Sequence, residues 1–202
     1  MEIEGVEFEW ISHDTFKIKA EGKVVYTDPY LVPDGEKADL ILISHDHYDH
    51  YDPDSIKKLR KSDTVIVGHP KVIKLLGEGK ALNAGKETTA HDIKIEAVPA
   101  YNMGKPYHHE GDCIGFVFVV GHLRVYFAGD TDMIQEMDEL GGIDVALIPI
   151  GGKYVMEEEE AAEAVKLIKP RYAIPMHYGT ITEGNPEKFK QLVGKASKVI
   201  IL

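Results

Sequence analysis

The sequence predicts an α/β fold built as a four-layer αββα sandwich, two sheets face to face with helices outside them. Roughly eleven short segments alternate in polarity or run apolar, as strands do. About five others carry helix caps or helical spacing. Each half of the chain supplies several strands and then helices, with no repeat or linker between them, so the 202 residues are expected to form one domain over 1–202.

Val6, Phe8 and Trp10 alternate with Glu7 and Glu9, and Phe16 and Ile18 with Lys17 and Lys19, which predicts two strands with one wet face each. A third strand, KVVYT, ends before Asp28-Pro29. A fourth, DLILIS over 39–44, is nearly all apolar and so is expected to be buried on both faces. Asp52-Pro53 reads as an N-cap with proline at the first helical position, and Ile56 and Leu59 then share a face. TVIVGH from Thr64 is a strand, Pro70 to Leu76 a short helix stopped at Gly77, and 77–89 a turn-rich connection. DIKIEAV from Asp92 alternates again before PAYNMGKPYHHEGD, where Gly and Pro mark a loop. CIGFVFVV and LRVYFAGD form a hairpin about Gly121-His122, a helix begins near Met133, and DVALIPIGG is a further buried strand. Over 157–168, Ala161, Ala164, Val165 and Ile168 keep helical spacing, while Glu157 to Glu160 complement the positive end of the dipole. Pro170 closes that helix. RYAIPMHYG returns as a strand, Asn185-Pro186 caps a last helix, and KVIIL ends the fold.

A hydrophobic fraction of 44% with 28% charged residues excludes a disordered chain. The net charge of −11, from 34 acidic and 23 basic side chains, argues against long nucleic acids and for a small-molecule substrate. The single cysteine, Cys113, excludes an intramolecular disulfide and reads as a small core residue. No apolar run reaches the roughly 20 residues of a membrane span, and the acidic, alternating start MEIEGVEFEWIS differs from a secretory signal. A soluble protein of the reducing cytoplasm is expected, with homo-oligomerisation left open.

Ser44-His45-Asp46-His47-Tyr48-Asp49-His50 sets three imidazoles and two carboxylates within six residues of one another at the end of an apolar strand. Any one of these histidines alone would read as a solvated loop residue; together they form a donor set for zinc, or for iron or manganese. His45 and His47 can face one ion, and Asp49 and His50, a turn later, a second. Asp130 after LRVYFAG and His177 after RYAIPM also stand at carboxyl ends of predicted strands, where sites of sheet proteins gather. His69, His91 and His122 lack acidic or histidine neighbours that suggest a site and carry no expected role.

Through TDP, SHDHYDH, YFAGDTD and PMHYG, in that order over residues 27–180, the chain resembles the metallo-β-lactamase-fold hydrolase superfamily. Ser12-His13-Asp14 is similar to the opening turn of its short branch related to L-ascorbate-6-phosphate lactonase and N-acyl-phosphatidylethanolamine phospholipase D. The resemblance implies a two-metal cleft along one edge of an αββα sandwich. His45 and His47 would bind the first ion, Asp49, His50 and His177 the second, and Asp130 would bridge them. Asp28 would hold the histidine loop from behind, and His13 would lie near the cleft. Where the family supplies a third histidine to the first ion, this chain has Asn102, so either the amide or His108 of the same loop completes that site. Lys105, beside the loop, is a candidate contact for an anionic substrate.

The expected cofactors are two divalent ions, zinc foremost, with manganese, iron or nickel as alternatives. Ions about 3.5–4 Å apart can share a water and lower its pKa toward neutrality. The expected reaction is attack of that hydroxide on a lactone, ester or phosphodiester in a small anionic molecule, with Asp49 and Asp130 as the catalytic carboxylates. A non-catalytic metal-binding or iron redox protein on the same fold is the rival reading.

Overall fold

The computed structural model describes residues 1–179 and 181–202. In its first sheet, β1 (Glu2–Ile3), β2 (Val6–Ser12), β3 (Thr15–Ala20), β4 (Lys23–Thr27), β5 (Leu40–Ile43), β6 (Val65–Gly68) and β7 (Lys80–Ala81) lie side by side in chain order. Pairing is antiparallel from β1 to β4 and parallel from β4 to β7. The second sheet repeats this plan. β8 (Glu87–Ala90), β9 (Ile93–Ala100), β10 (Cys113–Val120) and β11 (Leu123–Phe127) are antiparallel, and β12 (Val145–Pro149), β13 (Tyr172–Met176) and β14 (Lys198–Val199) continue in parallel.

The apolar run of β5 follows from its place between two cores. Leu40 and Leu42 join Phe8, Phe16, Phe116 and Phe127 between the sheets. Ile41 and Ile43 point the other way and pack with Ile56 and Leu59 of α1 (Pro53–Leu59) and Val72 of α2 (Pro70–Leu76). Ala161 and Val165 of α3 (Glu158–Ile168) and Phe189 of α4 (Pro186–Val193) are buried with the second sheet. Helices therefore flank the two mixed sheets, the α/β sandwich expected from the sequence. The predicted caps are in place: Asp52 Oδ1 accepts from Asp54 N at 3.0 Å, and Asn185 Oδ1 accepts from the amides of Glu187 and Lys188 at 3.1 and 3.0 Å.

Three local expectations change. The connection 77–89 contains β7 and the start of β8, short strands whose order comes from pairing with β6 and β9 rather than from their own residues. The segment after Met133 is a single 3-10 turn, Gln135–Glu139, with no side-chain cap on its first residue. At the chain end only Lys198–Val199 pair as a strand, although Ile200 still donates its amide to Ala173 O at 2.9 Å.

The parallel halves position the site. Strands β4, β5, β11, β12 and β13 end at Asp28, Ser44-His45, Asp130, Gly151 and His177 respectively, so their carboxyl ends deliver these residues to one side of the sandwich. Gly129, at φ +63°, makes the approach of Asp130 feasible: a Cβ there would lie 3.1 Å from both Ile114 O and Ser44 Cβ.

Candidate metal centre

The donors of the histidine loop separate into two sets. One nitrogen each from His45, His47 and His108 lie within 4.8 Å of one another, and so do donor atoms of His13, Asp49, His50 and His177. Asp130 stands between the sets. Its Oδ2 lies 3.2 Å from His108 Nε2 and 3.2 Å from His177 Nε2, and its Oδ1 lies 3.4 Å from His50 Nε2. His45 Nε2 is 4.0 Å from the same carboxylate. Residues from the ends of β5, β11 and β13 thus meet, although 132 positions separate His45 from His177 in the chain.

Asp28 orients this loop from behind. It accepts from Ser44 N at 2.7 Å, from the Ser44 hydroxyl, and from His50 Nδ1 at 2.7 Å. Ser44 Oγ in turn lies 2.9 Å from His45 Nδ1. One carboxylate therefore holds the far nitrogen of His50 directly and that of His45 through a hydroxyl, turning both Nε2 atoms toward Asp130. Asp28→Ala should weaken metal binding by about 10- to 100-fold, read by competition with a chromophoric chelator; unchanged affinity would show that packing alone aligns the two rings.

The loop between β9 and β10 brings His108 beside His45 and His47. His108 Nε2 sits 3.1 Å from His47 Nδ1, whereas Asn102 donates through Nδ2 to Tyr154 O at 2.7 Å and lies 3.2 Å from His108 Nδ1. The main-chain N–H of Asn102 also donates to the main-chain His108 O at 2.8 Å, which closes the loop that carries the imidazole. The Lys105 ammonium is bound to the carboxylate of Asp132 and to Val155 O at 2.6 Å. His69 caps α2, His91 reaches Asp63 O, and His122 lies on the exposed hairpin, all outside the two sets.

The residues fit divalent ions by a test independent of any bound ligand. Nε2 of His45 and His50 and Oδ1 of Asp130 are buried yet make no hydrogen bond among the described residues, which is uncommon for buried polar atoms unless something else satisfies them. A tetrahedral ion with bonds of about 2.0–2.1 Å spaces its ligand atoms roughly 3.4 Å apart, and the separations around Asp130 are close to that. Burial, then the charge of His50, holds the His45 imidazole well below its usual range, so it stays neutral with a free donor pair. Burial would lift Asp130, but His177 and His50 outweigh it and keep the carboxyl well below the usual carboxylate range. Asp14, 3.8 Å from His50 Nδ1, is pushed up to about 8 by burial.

Four of these residues carry a left-handed backbone: His13, Asp28, His108 and His177 have φ of 45°, 32°, 54° and 59°. Such strain persists where surrounding structure over-determines it, commonly at functional sites. A cavity of about 240 Å³ opens above Asp49, Asp130 and His177 and is walled by Tyr48, Tyr107, Tyr154 and Ile181. Sequence reasoning passed over the tyrosines and also Ser44 and Thr182, whose Oγ1 lies 3.3 Å from His177 Nδ1. Ser44 was signalled by its place directly before His45; Tyr154 and Thr182 carry no local signal.

Known proteins resemble this chain over most of its length. Residues 7–177 match the β-lactamase superfamily domain. A UPF0173 metal-dependent hydrolase of Thermococcus onnurineus is 35% identical over 218 residues, covering 98% of this chain and 96% of its own. The crystal structure of a candidate metal-dependent hydrolase from Parabacteroides distasonis has a TM-score of 0.91 at 35% identity, covering 97% of this chain and 92% of that one. Igni18, a metallo hydrolase of Ignicoccus hospitalis, has a TM-score of 0.83 at 28% identity, over 98% and 94% of the two chains. With its two mixed sheets and its histidine–aspartate clusters at their strand ends, this chain belongs to the metallo-β-lactamase-fold hydrolase superfamily.

Proposed function

We propose that the protein is a hydrolase in which His45, His47 and His108 hold one divalent ion, Asp49, His50 and His177 a second, and Asp130 both. Zinc is the first choice by donor chemistry, with manganese, iron or nickel as alternatives. The observation that carries this reading is the position of Asp130, 3.2 Å from an imidazole of each set. When bound, such ions supply a water acidified toward neutral pH and positive charge for a developing oxyanion.

The chain's own residues do the rest. Asp49 lines the cavity. Burial pushes its carboxyl up, but the neighbouring imidazoles of His13 and His50 outweigh this and keep it ionised. It is the group that orients the attacking water and accepts its proton. Tyr107 and Tyr154, with ring centroids 5.0 Å apart, hold the organic part of the substrate. Among the described residues no lysine or arginine lines this cavity, so an anionic group on the substrate is neutralised by the ions themselves. The substrate class proposed is a small lactone, ester or phosphodiester, and the Ser12-His13-Asp14 turn supports a place near the lactonase and phospholipase D branch. Among the described residues no helix is long and apolar enough to cross a membrane; with one cysteine in the chain, buried, we place the protein in the cytoplasm.

Chelation should abolish turnover of a lactone and phosphodiester panel, and zinc or manganese should restore it. Asp49→Ala should slow the metal-loaded enzyme by about 10²- to 10⁴-fold. Equal rates in both proteins would remove the role given to Asp49. Visible absorbance from bound iron with no turnover of any panel member would favour a redox protein instead.

A further inference from the structure

We infer that His13 is an additional protein ligand of the second ion, joining Asp49, His50 and His177; this rests on the two-ion reading above. His13 sits in the two-residue turn between β2 and β3, far in sequence from the other donors. Its carbonyl accepts from Trp10 Nε1 at 2.7 Å and from His177 N at 3.2 Å, which fastens the turn to the tip of β13. The imidazole then lies against that of His177, ring centroids 3.9 Å apart.

Two features separate a ligand from a core histidine. First, the side chain is fully buried, and neither ring nitrogen makes a hydrogen bond among the described residues. Buried polar atoms of native proteins are rarely left so, and a core histidine would be selected with a partner in place. Second, Nε2 lies 3.4 Å from Asp49 Oδ2. That is long for a histidine–carboxylate hydrogen bond, about 2.7–2.9 Å when charge-assisted, but within the roughly 3.0–3.6 Å between neighbouring ligands of an ion held by five or six donors at about 2.1 Å. A ligand from the β2–β3 turn ties the first sheet's hairpin to the second sheet's strand tip through the ion, so binding the second ion fastens the two sheets at this end.

The test is cadmium-113 NMR on the full chain loaded with two equivalents of cadmium. Two resonances are expected, one of them coupled to ring protons of His13 as well as to those of His50 and His177. The His13 cross-peak is assigned by its disappearance in His13→Asn, a substitution that tolerates the left-handed turn. In that variant the affinity of the second site should fall at least tenfold, with the first site unchanged. Two resonances without coupling to His13 would overturn this assignment while leaving the two-ion reading intact. A single resonance from the His45 set would overturn both. Because the coupling is read on the unmodified protein, a variant that fails to fold does not blunt the test.

Discussion

Asp130→Ala should lose both ions and about 10³-fold or more of the hydrolytic rate, as expected of a group that acts with several partners as one unit. The reason is its position. No other carboxylate among the described residues lies within 3.4 Å of both donor sets, at His108 and His177 on one oxygen and His50 on the other. Removing it takes away the carboxylate that His50, His108 and His177 share, so each donor set loses an anionic ligand and the negative charge that offsets a bound cation. Asp130→Asn keeps the shape and one acceptor oxygen, so it should retain more metal than the alanine variant while still losing most activity. Elemental analysis of dialysed protein, beside a circular dichroism melt, reads the result. Two ions per chain in Asp130→Ala would show that the sets bind independently and that the carboxylate is a spectator.

Gly151→Ala should disrupt the second set without replacing any donor. A Cβ at this position would collide with His177 O and Thr182 Oγ1 and lie 2.8 Å from His177 Nδ1. The backbone at Gly151 is not in the left-handed region, so alanine is conformationally acceptable there and the effect is one of space. Since one obstructing atom is a main-chain carbonyl, no rotamer change relieves it, and β12 and β13 must part at their tips. Overpacking of this kind costs about 1–3 kcal/mol, and the displaced His177 should release its ion. The checks are a lowered melting temperature and a metal content closer to one ion than two. Thr182→Ala in the same chain should not restore binding, because the carbonyl remains. Full occupancy in Gly151→Ala would mean that this strand tip is softer than its packing implies.

How far each feature could be read in the chain depends on the distance over which it is determined. The strands with strong alternation or continuous apolar runs were legible because period and burial are local: β5 alternates between two cores, Leu40 and Leu42 inward and Ile41 and Ile43 outward. The caps at Asp52 and Asn185 were legible for the same reason. β7 and β8 were not, since Lys80-Ala81 and Glu87–Ala90 have little strand character and are ordered by the edges they join. In the site, the string from Ser44 to His50 showed its purpose through density of donors. The pairing of Lys105 with Asp132, 27 residues away in another loop, left no local signal.

The order of the elements, the donor types and the strand ends that carry them are therefore written in the chain, because they follow from residue chemistry and short-range periodicity. Tertiary structure alone decided that His108 rather than Asn102 stands beside His47, that Asp28 reaches both histidines, and that His13 meets Asp49 and His177. Those choices turn on packing two sheets so that turns distant in the chain share one edge. An ångström of displacement there changes which atom faces the cleft, and no local pattern records it.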